Sequence, residues 1–306
     1  MSIAVFGSIN IDVTAYSDRL PAPGETIHGG SYVLGLGGKG ANQAVAVARL
    51  GGAPAFIGRI GRDVFGGMAR AELETYGVET GRIAEDGKAG TGIAIIAVDA
   101  KAQNCITVIA GANFAVGTAD VTRLAALAEP PRVLLLQLEV PLAANIAAAT
   151  LAKLGGATVI LDPAPAPTGG LPKELMGCVG VITPNEVECE ALTGIRPANV
   201  SDAWHAAAML RADGARRAVI KMGASGAFWM GPEGEGHVPR FAVNAIDTVA
   251  AGDCFNGGLA FAMAAGKPFG EAVRFASACG ALSTTKRGAA AAAPTLAEVE
   301  TLLGKS

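Results

Sequence analysis

The chain has 306 residues, of which 51% are apolar and only 17% charged, with a formal net charge of −3. It has no basic cluster and only 5% aromatic residues, so it offers nucleic acid neither a phosphate-binding patch nor a base-stacking platform. No apolar stretch of about 18 residues lacks charge or glycine punctuation, which argues against a helical membrane span.

In chain order, Ile3–Phe6 reads as a short strand ending at Gly7, with no charged-then-apolar leader before it. Residues 12–34 hold a proline-rich turn, Leu20-Pro21-Ala22-Pro23-Gly24, and strand-like pieces without a helix. A glycine-rich run from Gly35 to Gln43 leads into an Ala-rich helix over 41–50, then a strand at Ala55–Ile57 and a helix over 64–76. Ile93–Val98 and Cys105–Ile109 read as a hairpin around a polar turn. Helices over 119–128, 142–154, 186–193 and 201–213 then alternate with strands at Val133–Leu136, Thr158–Leu161, Val179–Ile182 and Ala218–Ile220. This alternation predicts a mostly parallel sheet covered on both faces, with ligands at the carboxyl ends of its strands. Glu139, Asp162 and Asn185 fall just past such ends. The segments 12–34 and 91–110 stand outside the main sheet as two small antiparallel pieces.

Near the C-terminus, Cys254–Ala265 reads as a helix preceded by Asp247-Thr248-Val249-Ala250-Ala251-Gly252-Asp253. The small run Ala250, Ala251, Gly252 leaves backbone N–H groups uncovered at the positive end of the helix dipole, a setting that suits a phosphate or an oxyanion. Asp253 beside it can take a proton from an attacking hydroxyl, or can simply cap the helix. The loop Gly35 to Gln43 carries one Lys and one Asn and is either a ligand cradle or a tight turn. It lacks the Gly-Lys-Ser/Thr of a Walker A loop and the downstream acid of a dinucleotide fingerprint. Asn10 and Asp12 can grip vicinal hydroxyls, or close strand one as an Asx-turn. The glycines of Lys221–Gly226 let backbone approach a nucleotide. The five cysteines (Cys105, Cys178, Cys189, Cys254, Cys279) are scattered and fit a reducing cytoplasm. Cys254 is either a low-pKa thiol at a helix N-terminus or a small packing residue. His28, His205 and His237 have neither metal spacing nor a nucleophile partner and read as incidental.

Nine segments in order resemble the ribokinase (PfkB) family of sugar kinases. They are Gly7–Asp12, Pro23–Thr26, Gly37–Ala44, Gly111–Asn113, Gln137–Glu139, Pro163–Ala166, Thr183–Glu188, Gly223–Gly226 and Asp247–Asp253. The resemblance implies one ribokinase-like α/β unit over 1–306. It would be a three-layer αβα fold with a mostly parallel central sheet and a small β-sheet lid built from about 12–34 and 91–110, through which two copies pair as a homodimer. It implies ATP-dependent phosphorylation of a sugar primary hydroxyl, with D-ribose giving D-ribose 5-phosphate as the first choice and Asp253 as general base. Sugar contacts would be Asn10, Asp12, Gly38, Lys39, Gly40, Asn42, Glu139 and Asp253. ATP contacts would be Asn185, Lys221, Met222, Gly223, Ala224, Ser225, Gly226, Gly252, Asp253 and Ser277. Ala250, Ala251 and Gly252 would form the anion hole. Glu188 would position magnesium through water, although Asn185 to Glu188 is also an ordinary helix start. A monovalent cation, potassium, would lie among Asp247, Val249, Ser283, Lys286 and Gly288. At the tail position where the family often has Ser this chain has Ala292, which supplies no side-chain ligand. The tail loop would lie near the nucleotide, ahead of a last helix over about 295–303. The alternatives are a relative acting on deoxyribose, a ketohexose or a nucleoside, and a non-catalytic sugar-binding regulator. Sparse aromatics disfavour a nucleoside, and retention of Asp253 disfavours a mere binder.

Overall fold

The computed structural model describes residues 2–101 and 103–304. Its strands are β1 (Ile3–Phe6), β2 (Asn10–Tyr16), β3 (Ser31–Gly37), β4 (Ala55–Gly61), β5 (Ile83–Asp86), β6 (Gly92–Val98) and β7 (Asn104–Ile109). They continue with β8 (Val133–Gln137), β9 (Thr158–Asp162), β10 (Val181–Ile182), β11 (Ala218–Lys221), β12 (Ala227–Gly231) and β13 (Gly234–Val238). The helices are α1 (Lys39–Arg49), α2 (Val64–Thr75), α3 (Thr118–Ala125), α4 (Leu142–Leu154) and α5 (Lys173–Met176). After them come α6 (Glu186–Thr193), α7 (Val200–Ala212), α8 (Ala251–Ala264), α9 (Phe269–Ser283) and α10 (Leu296–Leu303).

Nine strands form the main sheet in the order β13-β12-β11-β10-β9-β8-β1-β4-β5. From β5 to β11 every pairing is parallel, and β12 and β13 add an antiparallel edge. Successive side chains in a strand point to opposite faces, so continuous β-branched runs feed two cores. Val5, Leu135, Ile160 and Val219 pack with α1, α8 and α9 on one face. Phe6, Leu134, Leu136, Leu161 and Ile220 pack with α4 and α7 on the other. Both faces are therefore dry, and the polar chemistry is confined to the strand ends.

A second sheet of four strands runs β3-β2-β6-β7. Its two hairpins are antiparallel, as the sequence predicts, but β2 pairs β6 in parallel and welds them into one mixed sheet. Every residue of β7 is exposed, as are the first four of β3. Tyr32, Val33, Ile106 and Val108 are among the exposed apolar side chains.

Several boundaries differ from the sequence reading. β5, the β12–β13 hairpin and α9 were not foreseen, and the strand expected at Val179–Ile182 keeps only Val181 and Ile182 in the ladder. The helix expected from Cys254 begins at Ala251. No described helix is long and apolar enough to cross a membrane.

Candidate active site

The carboxyl ends of β9 to β11 and the N-termini of α1 and α8 converge on a cleft of 720 Å³, lined among others by Lys39, Asp162, Glu188, Lys221, Gly252 and Asp253. In its wall α8 is preceded by Ala250, whose φ of 57° makes it the one non-glycine residue with positive φ among those described. A left-handed conformation at a residue with a Cβ is strained, and such strain gathers at functional sites. It turns the chain so that Ala250, Ala251 and Gly252 line the cleft at the dipole's positive end. A Cβ on Gly252 would lie 3.3 Å from Lys221 Nζ, so the missing side chain lets that ammonium approach.

Asp253 lies in the first turn of α8, and Ala250 holds the N-cap position, which removes the capping alternative. Its carboxylate accepts from Asn42 Nδ2 at 3.0 Å and from Gln43 Nε2 at 3.1 Å. Burial pushes its pKa up, opposed by Lys39, reinforced by Asp162, and tempered by the two amides. The neighbouring Cys254 is buried, and burial together with the Asp253 charge pushes its thiol up to about 12. It is a packing residue.

The glycine loop is packed closely on its neighbours. Gly38 has φ 85°, and a Cβ there would stand 2.8 Å from Asn10 N, while one on Gly40 would stand 2.7 Å from Ser8 N. Only glycine lets the start of α1 sit this closely on the β1–β2 turn. Ser8 Oγ donates to Glu139 Oε2 at 2.5 Å, and the Lys39 N–H donates to the same oxygen at 3.0 Å. Glu139 is thus tied to the loop rather than left as a solvated strand end. Lys39 Nζ lies 4.0 Å from Asp162 Oδ2. Burial pulls its pKa down, but Asp253, Asp162, Glu139 and Glu188 outweigh that and leave it raised.

Asn10 and Asp12 belong to β2, opposite Gly37 and Gly35 of β3, which removes the Asx-turn alternative. Asn113 Nδ2 donates to Asn10 Oδ1 at 2.8 Å and to Ile9 O at 3.0 Å, fixing the amide. Asp12 lies across Gly37, where a Cβ would stand 2.1 Å from its Oδ1. Burial, then Glu139 and Asp253, raise Asp12 to about 6. Asn42 Oδ1 is buried and has no protein partner.

On the other side of the cleft, Lys221 Nζ donates to Asp162 Oδ1 at 3.1 Å. The turn after it relies on Gly223 at φ 46° and Gly226 at φ 86°, and a Cβ on Gly226 would stand 2.1 Å from Val238 O. Gly223, Ala224 and Gly226 line the cleft, as does Ser277, whose Oγ donates to Val273 O at 2.9 Å within α9. Met222 is instead buried in the core, and Ser225 is not among the lining residues. His237 Nε2 lies 2.7 Å from Ser225 O, across the turn.

Asn185 and Glu188 form a reciprocal capping box that starts α6, the ordinary helix-start arrangement, while both residues also line the cleft. Asp247 Oδ1 accepts from Val249 N at 3.0 Å and Oδ2 from Gly288 N at 3.1 Å, joining the loop before α8 to the loop after α9. Ser283 Oγ donates to Gly280 O, Lys286 Nζ pairs with Glu298, and Ala292 is buried. Sequence reasoning assigned no role to Gln43 or Asn113, and noted Asp162 only as a strand end. All three hold other site residues, and Gln43 and Asn113 lie inside segments that carry the family resemblance.

The chain matches the pfkB family carbohydrate kinases over residues 1–296. It belongs to that family, and the fold expected from the resemblance is the observed one. The protein is an ATP-dependent carbohydrate kinase. It is 41% identical to a ribokinase of Haemophilus influenzae over 298 residues, spanning 97% of this chain and 96% of that protein. It is 36% identical to a deoxyribokinase of Salmonella typhi over 297 residues, spanning 97% and 96%. A solved structure of Arabidopsis thaliana ribokinase complexed with ribose and ATP is similar at TM-score 0.89 and 31% identity, over 99% of both chains.

Proposed function

We propose that the protein transfers the terminal phosphoryl group of ATP to the primary hydroxyl of D-ribose, with Asp253 as general base. The observation that carries this reading is the Asn42 amide. Its Nδ2 holds Asp253 while its buried Oδ1 has no protein partner. A buried acceptor left unpaired costs about 1–3 kcal/mol, and a sugar hydroxyl donating to Asn42 Oδ1 removes that penalty beside the base. Asp12 accepts from further hydroxyls, Asn10 and Lys39 donate, and Glu139 holds the loop. Asp253, raised by burial, takes the proton as the hydroxyl attacks. The first-turn N–H groups of α8 and the ammonium of Lys221 face the phosphate.

Magnesium keeps most of its waters and needs only one or two protein groups, so Glu188 at the cleft wall fits it. When bound, the ion neutralises charge on the phosphates. Asp247, poised between two loops, together with carbonyls of Val249, Ser283, Lys286 and Gly288, fits a potassium ion that orders the turn before α8. The small sheet serves as a lid over the sugar, and its exposed apolar residues support pairing with a second copy. Five free cysteines support a cytoplasmic location.

Similarity to the deoxyribokinase supports deoxyribose as the second reading. A panel of ribose, 2-deoxyribose, a ketohexose and a nucleoside with ATP and magnesium, scored by ADP release, tests the choice. Ribose should give the highest kcat/KM. A higher value for deoxyribose would overturn ribose as acceptor.

A further inference from the structure

Gln43 is fully buried on α1, next to Asn42. A glutamine amide has two N–H donors and one acceptor oxygen, and all three are committed. One Nε2 donates to Asp253 Oδ1 at 3.1 Å and to Asp162 Oδ2 at 3.1 Å, while Oε1 accepts from Gln137 Nε2 at 2.7 Å. Gln137 ends β8 and is itself fully buried. Its side-chain oxygen lies against Gly7, where a Cβ would stand 2.0 Å away. Its backbone carbonyl accepts from Asn145 Nδ2 of α4 at 2.8 Å. Asp162 in turn takes the Lys221 ammonium on its other oxygen. A continuous chain therefore runs from Lys221 on the phosphate side, through Asp162 and Gln43, to Asp253 and Asn42 on the acceptor side.

We propose that Gln43 is a positioning residue for phosphoryl transfer, clamping Asp253 and Asp162 with the two hydrogens of one amide that Gln137 holds in orientation. The proposal rests on Asp253 being the base. The two ends of an amide are alike in shape and opposite in hydrogen bonding. If the Gln43 amide turned over, its oxygen would face two carboxylates. The Gln137 donor opposes that rotation, and so keeps the Asp253 carboxylate aimed at the acceptor hydroxyl. The clamp also favours the ionised base. The charged groups that face Asp253 are Lys39 at the start of α1, Asp162 at the end of β9 and Asp12 on β2. None of them is altered by changing Gln43.

The test compares Gln43→Met, Gln137→Met and the double variant, using ATP and whichever acceptor the wild-type protein phosphorylates. Gln43→Met should lower kcat by about 10²-fold, the loss that a misplacement of about 1 Å brings, with KM for sugar and ATP little changed. The acid limb of its kcat profile should move to higher pH, because the ionised base has lost a donor. Gln137→Met should shift both readouts in the same direction by less, and should add under about twofold in the Gln43→Met background, because it acts through Gln43. Calorimetric binding of sugar and nucleotide verifies that each variant is folded, and Gln137→Met carries the test if Gln43→Met is not. Unchanged kcat in the folded variant, an unmoved acid limb, or additive effects of the two substitutions would overturn the relay. A wild-type protein that ignores ribose, or an Asp253→Asn variant that turns over normally, would instead overturn the acceptor or the base.

Discussion

The two sheets treat their side chains in opposite ways. Strands β1 and β8 are buried along their whole length, and β9 for four of its five residues, whereas β7 is exposed at all six positions. The site straddles the difference. Asp162 and Lys221 end strands of the main sheet and Lys39 and Asp253 lie at the starts of helices packed over it, while Asn10 and Asp12 ride on β2 of the small one. A base must be held in one geometry to act, and a covered, close-packed layer holds it. The strand proposed to grip sugar hydroxyls has to admit and release its ligand, which suits a sheet with one face in water. On the proposed function, the contrast is a division of labour between a rigid floor and a thin cover.

The largest expected effect tests the floor. Asp253→Asn should keep sugar and ATP binding but cut turnover by about 10²–10⁴-fold, the usual worth of a positioned base. Near-normal kcat in the purified variant would leave the floor without its proposed chemistry.

Stability offers the next contrast. Leu135→Ala, in the middle of β8 and fully buried, should cost about 2–5 kcal/mol through lost burial and a residual cavity. Val108→Ala on β7, 59% exposed, should change stability by less than about 0.5 kcal/mol. Val108→Asp should leave the fold intact yet shift the proposed pairing toward monomer, read by light scattering. Equal losses for Leu135→Ala and Val108→Ala in urea unfolding would erase the distinction between the sheets.

On the cover itself, Asp12→Ala should weaken sugar binding by about 1.5–3 kcal/mol through lost charge-assisted bonds, measured by calorimetry. Because Asp12 is raised to about 6, its hydroxyl-accepting form is lost as pH falls through that value, and wild-type affinity should fall with it. The same shift acts on stability with opposite sign. A folded pKa above the unfolded one contributes stability that is present below 3.8 and lost as pH rises through about 6. Sugar affinity independent of pH between 5 and 7 would show that the hydroxyls do not meet this carboxylate.

The smallest effect concerns the loop before α8. If potassium orders that turn, Ala292→Ser should lower the concentration needed for half-activation by supplying one more oxygen. Indifference of both proteins to potassium would leave Asp247 with only its two backbone hydrogen bonds.

Much of the site was legible because its residues lie in short, chemically marked segments. Asp253 was marked by small residues ahead of an apolar helix, and the turn before α1 by glycines ahead of an Ala-rich one. Where two readings stood side by side, the structure chose between them. Asp253 is no N-cap, Asn10 and Asp12 form no Asx-turn, and Cys254 is a packing residue. For Asn185 and Glu188 it shows the ordinary helix start, set at the wall of the cleft. Met222 shows the limit of reading a turn as a unit, since neighbours along a backbone point to opposite sides.

The chain by itself determined the parallel sheet, because strands buried on both faces must be apolar throughout and the intervening helices small-residue rich, and both leave a mark on local composition. It determined the glycines at 38, 40, 223 and 226 for the same kind of reason, since no other residue tolerates those turns or approaches. Only the tertiary structure decided that β2 and β6 pair in parallel, since a ladder between distant strands is made of backbone groups that every residue carries. Only it decided that Ala250 takes a left-handed turn, a conformation alanine never announces. And only it brought Gln43 to Asp162 and Asp253, across 119 and 210 residues of chain, because hydrogen bonds at such separations depend on where packed layers place a side chain and not on its neighbours in sequence.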